Sequence, residues 1–153
     1  MKVRDATHGD VEQISALLRD LTAMGKRTRP DDPDHVRAYY IEDPSKIGCS
    51  VADDGGTVLG FQSLRRAEPG NDWGVDPGWG IIGTHVSPAA ARRGVGRALF
   101  AATRTAARAA GLRHIDATIG ASNAEGLAYY DAMGFRTYRS AEGRISKRFD
   151  VEP

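Results

Sequence analysis

The sequence predicts an α+β (mixed α/β) fold: a central sheet, mostly antiparallel, flanked by helices. Three features point there. Two pairs of strand-like runs flank tight glycine turns, Asp54-Gly55-Gly56 and Glu142-Gly143, as antiparallel hairpins do. Two later strands are each followed by a helix and a further strand, the pattern of crossovers. The whole chain reads β-α-α-β-β-β-α-β-α-β-β with no repeat and no low-complexity segment, so one domain is expected over residues 1–153.

Val3–Ala6 is short, partly apolar, and reads as the first strand. Thr7-His8-Gly9-Asp10 has the form of a capping box, with Asp10 in place of the usual Glu. The helix it opens places Val11, Ile14, Leu17, Leu18 and Leu21 on one stripe and fades near Met24-Gly25. Lys26–Pro30 is a basic loop. Asp32 caps a second helix with Pro33 at its first position; Val36, Tyr39, Tyr40 and Ile41 form its apolar side, and Asp43-Pro44 stops it. Ile47–Ala52 and Val58–Leu64 form the first hairpin. Cys49, within it, reads as a small core residue. Arg65–Gly78 is a long loop with Trp73 and three acids, Glu68, Asp72 and Asp76. A loop of this length is either functional or a solvated connection.

Gly80–Val86 is a strand that Pro88 ends, because proline has no N–H for a ladder. Beyond Arg92-Arg93-Gly94-Val95-Gly96, residues Val95, Leu99, Ala102, Ala106 and Ala109 recur at helical spacing up to a stop at Gly111. Arg113–Ile119 is a strand in which His114, Asp116 and Thr118 alternate with Ile115, Ala117 and Ile119. Ser122-Asn123-Ala124-Glu125 reads as a capping box, its helix ending at Met133-Gly134. Phe135–Arg139 and Arg144–Phe149 form the last hairpin.

The strand–loop–helix at Val86–Leu99 organises the chemistry. Glycines let successive N–H groups face outward, and a helix N-terminus adds unpaired donors and positive potential. Arg92, Arg93 and Arg97 add charge, so phosphate suits this loop. The plainer reading is a tight turn with surface arginines. A Walker loop would need Gly-Lys-Ser/Thr, whereas Gly96 is followed by Arg97-Ala98. A dinucleotide fingerprint would need a third glycine where Leu99 stands.

Bulk properties exclude other classes. Twenty-one Lys and Arg against twenty Asp and Glu leave +1, so overall charge gives no case for nucleic acid or a membrane surface. Cys49 is the only cysteine, which excludes an intramolecular disulfide and fits a cytoplasmic protein. The N-terminus lacks an apolar signal core, and no apolar run approaches the roughly 20 residues of a membrane span. His8, His35 and His114 have no metal spacing, so no metal is expected.

The run Arg93-Gly94-Val95-Gly96-Arg97-Ala98-Leu99, after a strand ending Val86-Ser87-Pro88, resembles the pyrophosphate loop of the GCN5-related N-acetyltransferases, which bind acetyl-CoA. Asn123 to Phe135 looks like their other signature, Asn-x(6)-Tyr-x(3)-Gly-Phe. Asn123 and Tyr130 are seven residues apart, about two turns, and so share a helix face. The resemblance implies the acyl-CoA N-acyltransferase fold and an acetyl-CoA-dependent N-acetyltransferase. It also implies roles. Val86 offers backbone groups to the pantetheine arm and an N–H to the thioester oxygen. Backbone N–H groups of Arg92, Arg93, Gly94, Val95, Gly96, Arg97 and Ala98 hold the pyrophosphate. Asn123 contacts the pantetheine, and Tyr130 is the acid for the departing thiolate. The other reading of Tyr130 is an aromatic packed beside Tyr129.

The reaction has three needs. A neutral amine must attack, developing oxyanion charge must meet an N–H, and thiolate must receive a proton. Positioning by the long donor arm can supply much of the rate. No covalent intermediate is needed, and no base motif supports a Cys49 relay.

Two departures stand out. Ala91 occupies the place where the family has Gln or Arg, with Arg92 beside it to supply charge. Small-amine members resembling phosphinothricin or amino-acid acetyltransferases carry a Glu where this chain has Ile81. His85, on the same strand, titrates in the right range for a base; its other reading is an ordinary strand histidine. Glu68, Asp72, Asp76 or a water chain are further candidates.

The expected acceptor is a small primary amine held by the Met24–Pro30 loop, the Arg65–Gly78 loop and the last hairpin, with Trp73 and Trp79. The acidic loop residues favour a cationic acceptor such as a polyamine, whereas the denser set Lys26, Arg27, Arg29, Arg65 and Arg66 favours a carboxylate-bearing, amino-acid-like one. Peptide or protein N-acetylation and a catalytically idle acyl-CoA sensor are the alternatives. By resemblance alone, a homodimer is the assembly to test.

Overall fold

The computed structural model describes residues 1–152. Its elements follow the predicted order: β1 (Lys2–Asp5), α1 (Val11–Ala23), α2 (Pro33–Val36), β2 (Lys46–Asp54), β3 (Thr57–Arg66), β4 (Gly80–Val86), α3 (Val95–Ala109), β5 (His114–Gly120), α4 (Ala124–Met133), β6 (Arg136–Ala141) and β7 (Arg144–Asp150). They build one seven-stranded sheet in the order β1-β2-β3-β4-β5-β7-β6. Every neighbouring pair is antiparallel except β4–β5.

That exception shapes the molecule. β4 pairs with β3 from Gly80↔Arg66 to Val86↔Gly60. It meets β5 only at Gly80↔Ile115 and Ile81↔Asp116. Beyond Ile81 the two strands part, and the sheet opens as a fork.

Strand alternation sends neighbouring residues to opposite faces. On one face, the stripe Val11, Ile14, Leu17 and Leu18 of α1 packs with Tyr40, Val51 and Phe61. On the other, Phe100 and Ala107 of α3 and Tyr130 of α4 pack with Leu64, Ile82, Ile115 and Ala117. Asp10 reaches back to the Thr7 N–H (2.8 Å), as the capping-box reading requires. Its buried carboxylate also takes the Arg4 guanidinium (2.8 Å), which binds Asp53 on β2 as well (3.0 Å). One arginine thus ties β1, α1 and β2 together.

Two local departures position the site. The second helix widens into a π turn over Arg37–Ile41. This brings Tyr39 and Tyr40, adjacent in sequence, to the same cavity. The long loop starts two residues later than expected, because β3 runs through Arg66. Its ends are tied by Ala67 N–H to Trp79 C=O (2.7 Å) and Gly78 N–H to Ala67 C=O (2.9 Å). The Asn71 side chain staples its interior, donating to the Glu68 and Val75 carbonyls and accepting from the Trp73 and Val75 N–H groups.

Candidate active site

The fork presents backbone groups. Ser87 N–H bonds the Leu59 carbonyl (2.8 Å), so the alternate residues His85, Gly83 and Ile81 also turn their backbone toward β3. Val86, Thr84 and Ile82 therefore turn theirs into the fork.

The loop after β4 presents more. Arg92 (φ 65°) and Gly94 (φ 75°) both take left-handed conformations. Arg92 is the only non-glycine residue to do so among the described residues, and a residue with a Cβ holds that conformation at a cost. The turn aims the start of α3 at the fork. Val95, Gly96 and Arg97 are its first three residues, whose N–H groups have no intrahelical acceptor. Ala98 is a correction: its N–H bonds the Gly94 carbonyl (3.1 Å) and is spent on the helix. The Arg93 side chain also turns elsewhere, to Asp54 (3.0 Å), whereas Arg92 and Arg97 line the cavity.

Gly96 has a second reason to be glycine. A Cβ there would lie 2.6 Å from Tyr129 Cε1. Tyr129 packs on this bare backbone and donates its hydroxyl to the Gly96 carbonyl (2.7 Å). The buried Gln62 amide donates to Tyr129 Oη and to Thr84 Oγ1, both at 2.9 Å. Thr84 Oγ1 lies 2.8 Å from Tyr130 Oη. Burial pushes the Tyr130 hydroxyl well above the usual tyrosine range, so it holds its proton.

Asn123 stands at the N-terminus of α4, not one residue inside it as the Ser122 capping box required. Its Oδ1 accepts from Gly126 N–H (3.0 Å), so Asn123 itself is the cap. Asn123 still lines the cavity beside the fork, but its oxygen is committed to the helix.

His85 is not placed to serve as a base. Its Nε2 faces the Arg27 guanidinium (3.1 Å), which has only protons to give, so the ring accepts there. The ring stacks on Phe61 (centroids 4.7 Å apart, 18°), and Nδ1 is buried without a partner. Burial, with the charges of Arg27 and Arg29, lowers its pKa to about 3. The lone pair a base would use is occupied and weak.

The fork opens into a cavity of about 1170 Å³ that reaches from Arg92 and Gly96 at one end to Arg27, Arg29, Tyr39, Arg65 and Trp73 at the other. Arg29 lies over the rings of Tyr39 (4.8 Å) and Trp73 (5.1 Å) and has no carboxylate partner among the described residues. Arg65 also covers Tyr39 (5.0 Å) while paired with Asp43 (3.0 Å).

Several expected acceptor residues lie elsewhere. Trp79 packs on His114 and Tyr138. Arg66 donates to the Ala110 carbonyl. Glu68, Asp72 and Asp76 do not line the cavity. The last hairpin supports the cavity from behind: Arg139 donates to the Trp73 and Gly74 carbonyls, and Arg144 lies over the Trp73 ring. Ile81 is buried and brings no titratable group to this strand. Sequence reading passed over Tyr39, Thr84, Gln62 and Asp116. For Asp116 the signal was an acid alternating with the apolar residues of a central strand.

Among the described residues no helix is long and apolar enough to cross a membrane. Nor do any three of their His, Cys, Asp or Glu side chains form a group suited to a metal. A forked sheet whose open end meets unpaired helix N–H groups is the fold of the acyl-CoA N-acyltransferases. The chain belongs to the acetyltransferase (GNAT) family, whose sequence model matches residues 13–135. It is 33% identical over 109 residues to a mycothiol acetyltransferase of Amycolatopsis mediterranei. That match covers 70% of this chain and 35% of the relative, so the chain spans about a third of the relative's length. The fold is shared with a GCN5-related N-acetyltransferase from Kribbella flavida (TM-score 0.82, 24% identity, 98% of this chain and 97% of the other). It is shared too with a protein from Salmonella typhimurium solved with its cofactor acetyl-CoA (TM-score 0.77, 20% identity, 99% and 94%).

Proposed function

We propose that this chain transfers the acetyl group of acetyl-CoA to the primary amine of a small, amino-acid-like acceptor that carries a carboxylate. One observation carries the reading. A single cavity joins the unpaired N–H groups at the start of α3 to the Arg29 guanidinium, which lies between two aromatic rings with no carboxylate of its own.

The donor fits this chain at named atoms. Val95, Gly96 and Arg97 N–H groups, with Arg92 and Arg97 side chains, suit a pyrophosphate. The alternate backbone groups of Ile82, Thr84 and Val86 suit an extended amide-bearing arm laid along β4. When bound, acetyl-CoA supplies an activated acyl group and a thiol leaving group. Val86 N–H is the donor for the oxyanion. Gln62 donates to Thr84, so the Thr84 proton can pass to Tyr130 Oη and leave the Tyr130 O–H free for the thiolate. At the other end, guanidinium groups stacked on aromatic faces bind carboxylates as planar forks.

The test is acetyl-CoA-dependent thiol release across amino acids, polyamines, aminoglycosides and short peptides. Carboxylate-bearing amines are expected to lead. Arg29→Gln should raise the KM of the best acceptor about 10- to 100-fold, the worth of one charge-assisted hydrogen bond. The KM for acetyl-CoA should stay within about twofold, because Arg29 sits at the far end of the cavity. Polyamines as the best acceptors, or an unmoved acceptor KM in Arg29→Gln, would reject the carboxylate.

A further inference from the structure

An amine reaches a protein at neutral pH mostly as an ammonium ion, so the transferase reading requires a group to take its proton. Three side chains lining the cavity could act as a base of ordinary kind: His85, Glu125 and Asp116. His85 has its lone pair on Arg27. Glu125 is 85% exposed at the rim and pairs with Lys26 (3.4 Å). Asp116 remains.

We propose that Asp116 is the general base of this chain. It sits where β4 and β5 part, as the register partner of Ile81, and it lines the cavity. Its relative exposure is 0%, and no cation pairs with it among the described residues. Only hydroxyls hold it: Thr118 donates to Oδ1 (2.8 Å) and Tyr138 to Oδ2 (2.5 Å). A buried carboxylate without a cation is costly, and a fold seldom keeps one that serves packing alone. Each oxygen accepts one hydrogen bond here and retains capacity for another.

The surroundings tune it toward that task. Burial raises the Asp116 pKa, while the Tyr138 and Thr118 hydroxyls and the Arg139 charge hold it down. Arg139 spends its donors on Trp73 and Gly74 carbonyls and on Ser146. Arg148, opposite on β7, turns its guanidinium to Asp150 (2.9 Å). Ile81 on β4 has no charge, and Tyr130 on α4 keeps its proton. The carboxylate thus gains basicity from its dry site, while the two hydroxyls and Arg139 favour its charged form.

The proton balance closes. Asp116 has no exposed atom of its own, so it takes the first proton of the ammonium through the cavity-lining Thr118 hydroxyl, which accepts that proton as it passes its own to Oδ1; the freed nitrogen lone pair forms the C–N bond. The C–S bond breaks as the oxyanion collapses. The second nitrogen proton, lost as the amide forms, balances the one Tyr130 gives to sulfur. Asp116 returns its proton to solvent, so each turnover releases one proton.

This assignment rests on the acetyl-transfer reading, and the experiment separates the two. Wild type, Asp116→Asn and Tyr138→Phe are compared by kcat/KM for the best acceptor from pH 5 to 9, with acetyl-CoA affinity by calorimetry. Wild type should lose activity on the acid side as Asp116 protonates. Asp116→Asn should lower kcat/KM about 100-fold at neutral pH and recover toward high pH, where free amine is abundant, with acetyl-CoA affinity within about twofold. Tyr138→Phe removes a hydrogen bond to the charged form, so its acid limb should move to higher pH. A merely structural tyrosine would not shift that limb. An unmoved limb in Tyr138→Phe overturns the proposal, even if Asp116→Asn fails to fold. So does a folded Asp116→Asn with at least half the activity and an unchanged profile. A wild type that releases no thiol with any amine overturns the transferase reading, and Asp116 with it.

Discussion

Gly96→Asp is expected to weaken acetyl-CoA binding by at least about 100-fold, read as Kd by calorimetry, a loss of about 2.7 kcal/mol. Two separate effects add at this position. The added negative charge stands on the first turn of α3, where we propose that a phosphate binds, and like charges in such a site cost several kcal/mol. The new Cβ would also meet Tyr129 Cε1 at 2.6 Å. Gly96→Ala separates the two effects, since it adds the Cβ without the charge. Overpacking of this kind costs about 1–3 kcal/mol and should appear mainly as a lower melting temperature. The neighbours within 4 Å of that Cβ are all Tyr129 atoms. Gly96→Ala combined with Tyr129→Ala should therefore show positive coupling, the clash vanishing from the double variant. Acetyl-CoA binding by Gly96→Asp within threefold of wild type would refute the phosphate role of this loop.

The contrast between the two ends of the cavity shows what a linear sequence carries. The proposed donor end is built from contiguous residues. The roles proposed for Val86, Gly94 and Gly96 rest on backbone whose direction follows from one strand, one turn and one helix start, and those are legible from residue types. Arg92 was legible as charge, but its left-handed φ was not, because nothing local demands it of an arginine. The proposed acceptor end is assembled at long range. Arg29 meets Tyr39 and Trp73 only because a π turn, a basic loop and a stapled loop converge. Trp79 has the same composition signal as Trp73 and points to other partners, so counting aromatics in loops could not separate them. Asp116 needed the sheet order: β7 enters between β5 and β6, and β4 meets β5 at two residues. His85 failed as a base for a related reason. Its ordinary pKa is a property of the residue, whereas Arg27, 58 positions away in sequence, decides its state here.

The half-buried His85 imidazole makes stability depend on pH in a stated window. Folded, its pKa is about 3; in an unfolded chain it returns to about 6.5. Above pH 6.5 both states are neutral and the shift has no effect. Below it the unfolded chain takes up a proton that the folded chain refuses, so stability falls by up to about 1.4 kcal/mol per pH unit down to pH 3. The loss between pH 7 and 5 is about 2 kcal/mol. Other groups act in or near this range. Asp116, whose pKa burial raises, has the opposite sign and stabilises on acidification. His35, lowered mainly by burial, adds to the loss. Asp10, lowered mainly by its bond to Arg4, contributes only below the ordinary carboxylate range, where its protonation begins to cost stability. The informative quantity is therefore a difference. His85→Gln removes one titration and leaves the rest, so its stability gap to wild type in urea should shift by about 2 kcal/mol in favour of the variant between pH 7 and 5. If the two stability curves run parallel over that range, His85 is not held neutral by Phe61, Arg27 and Arg29, and its exclusion as a base fails as well.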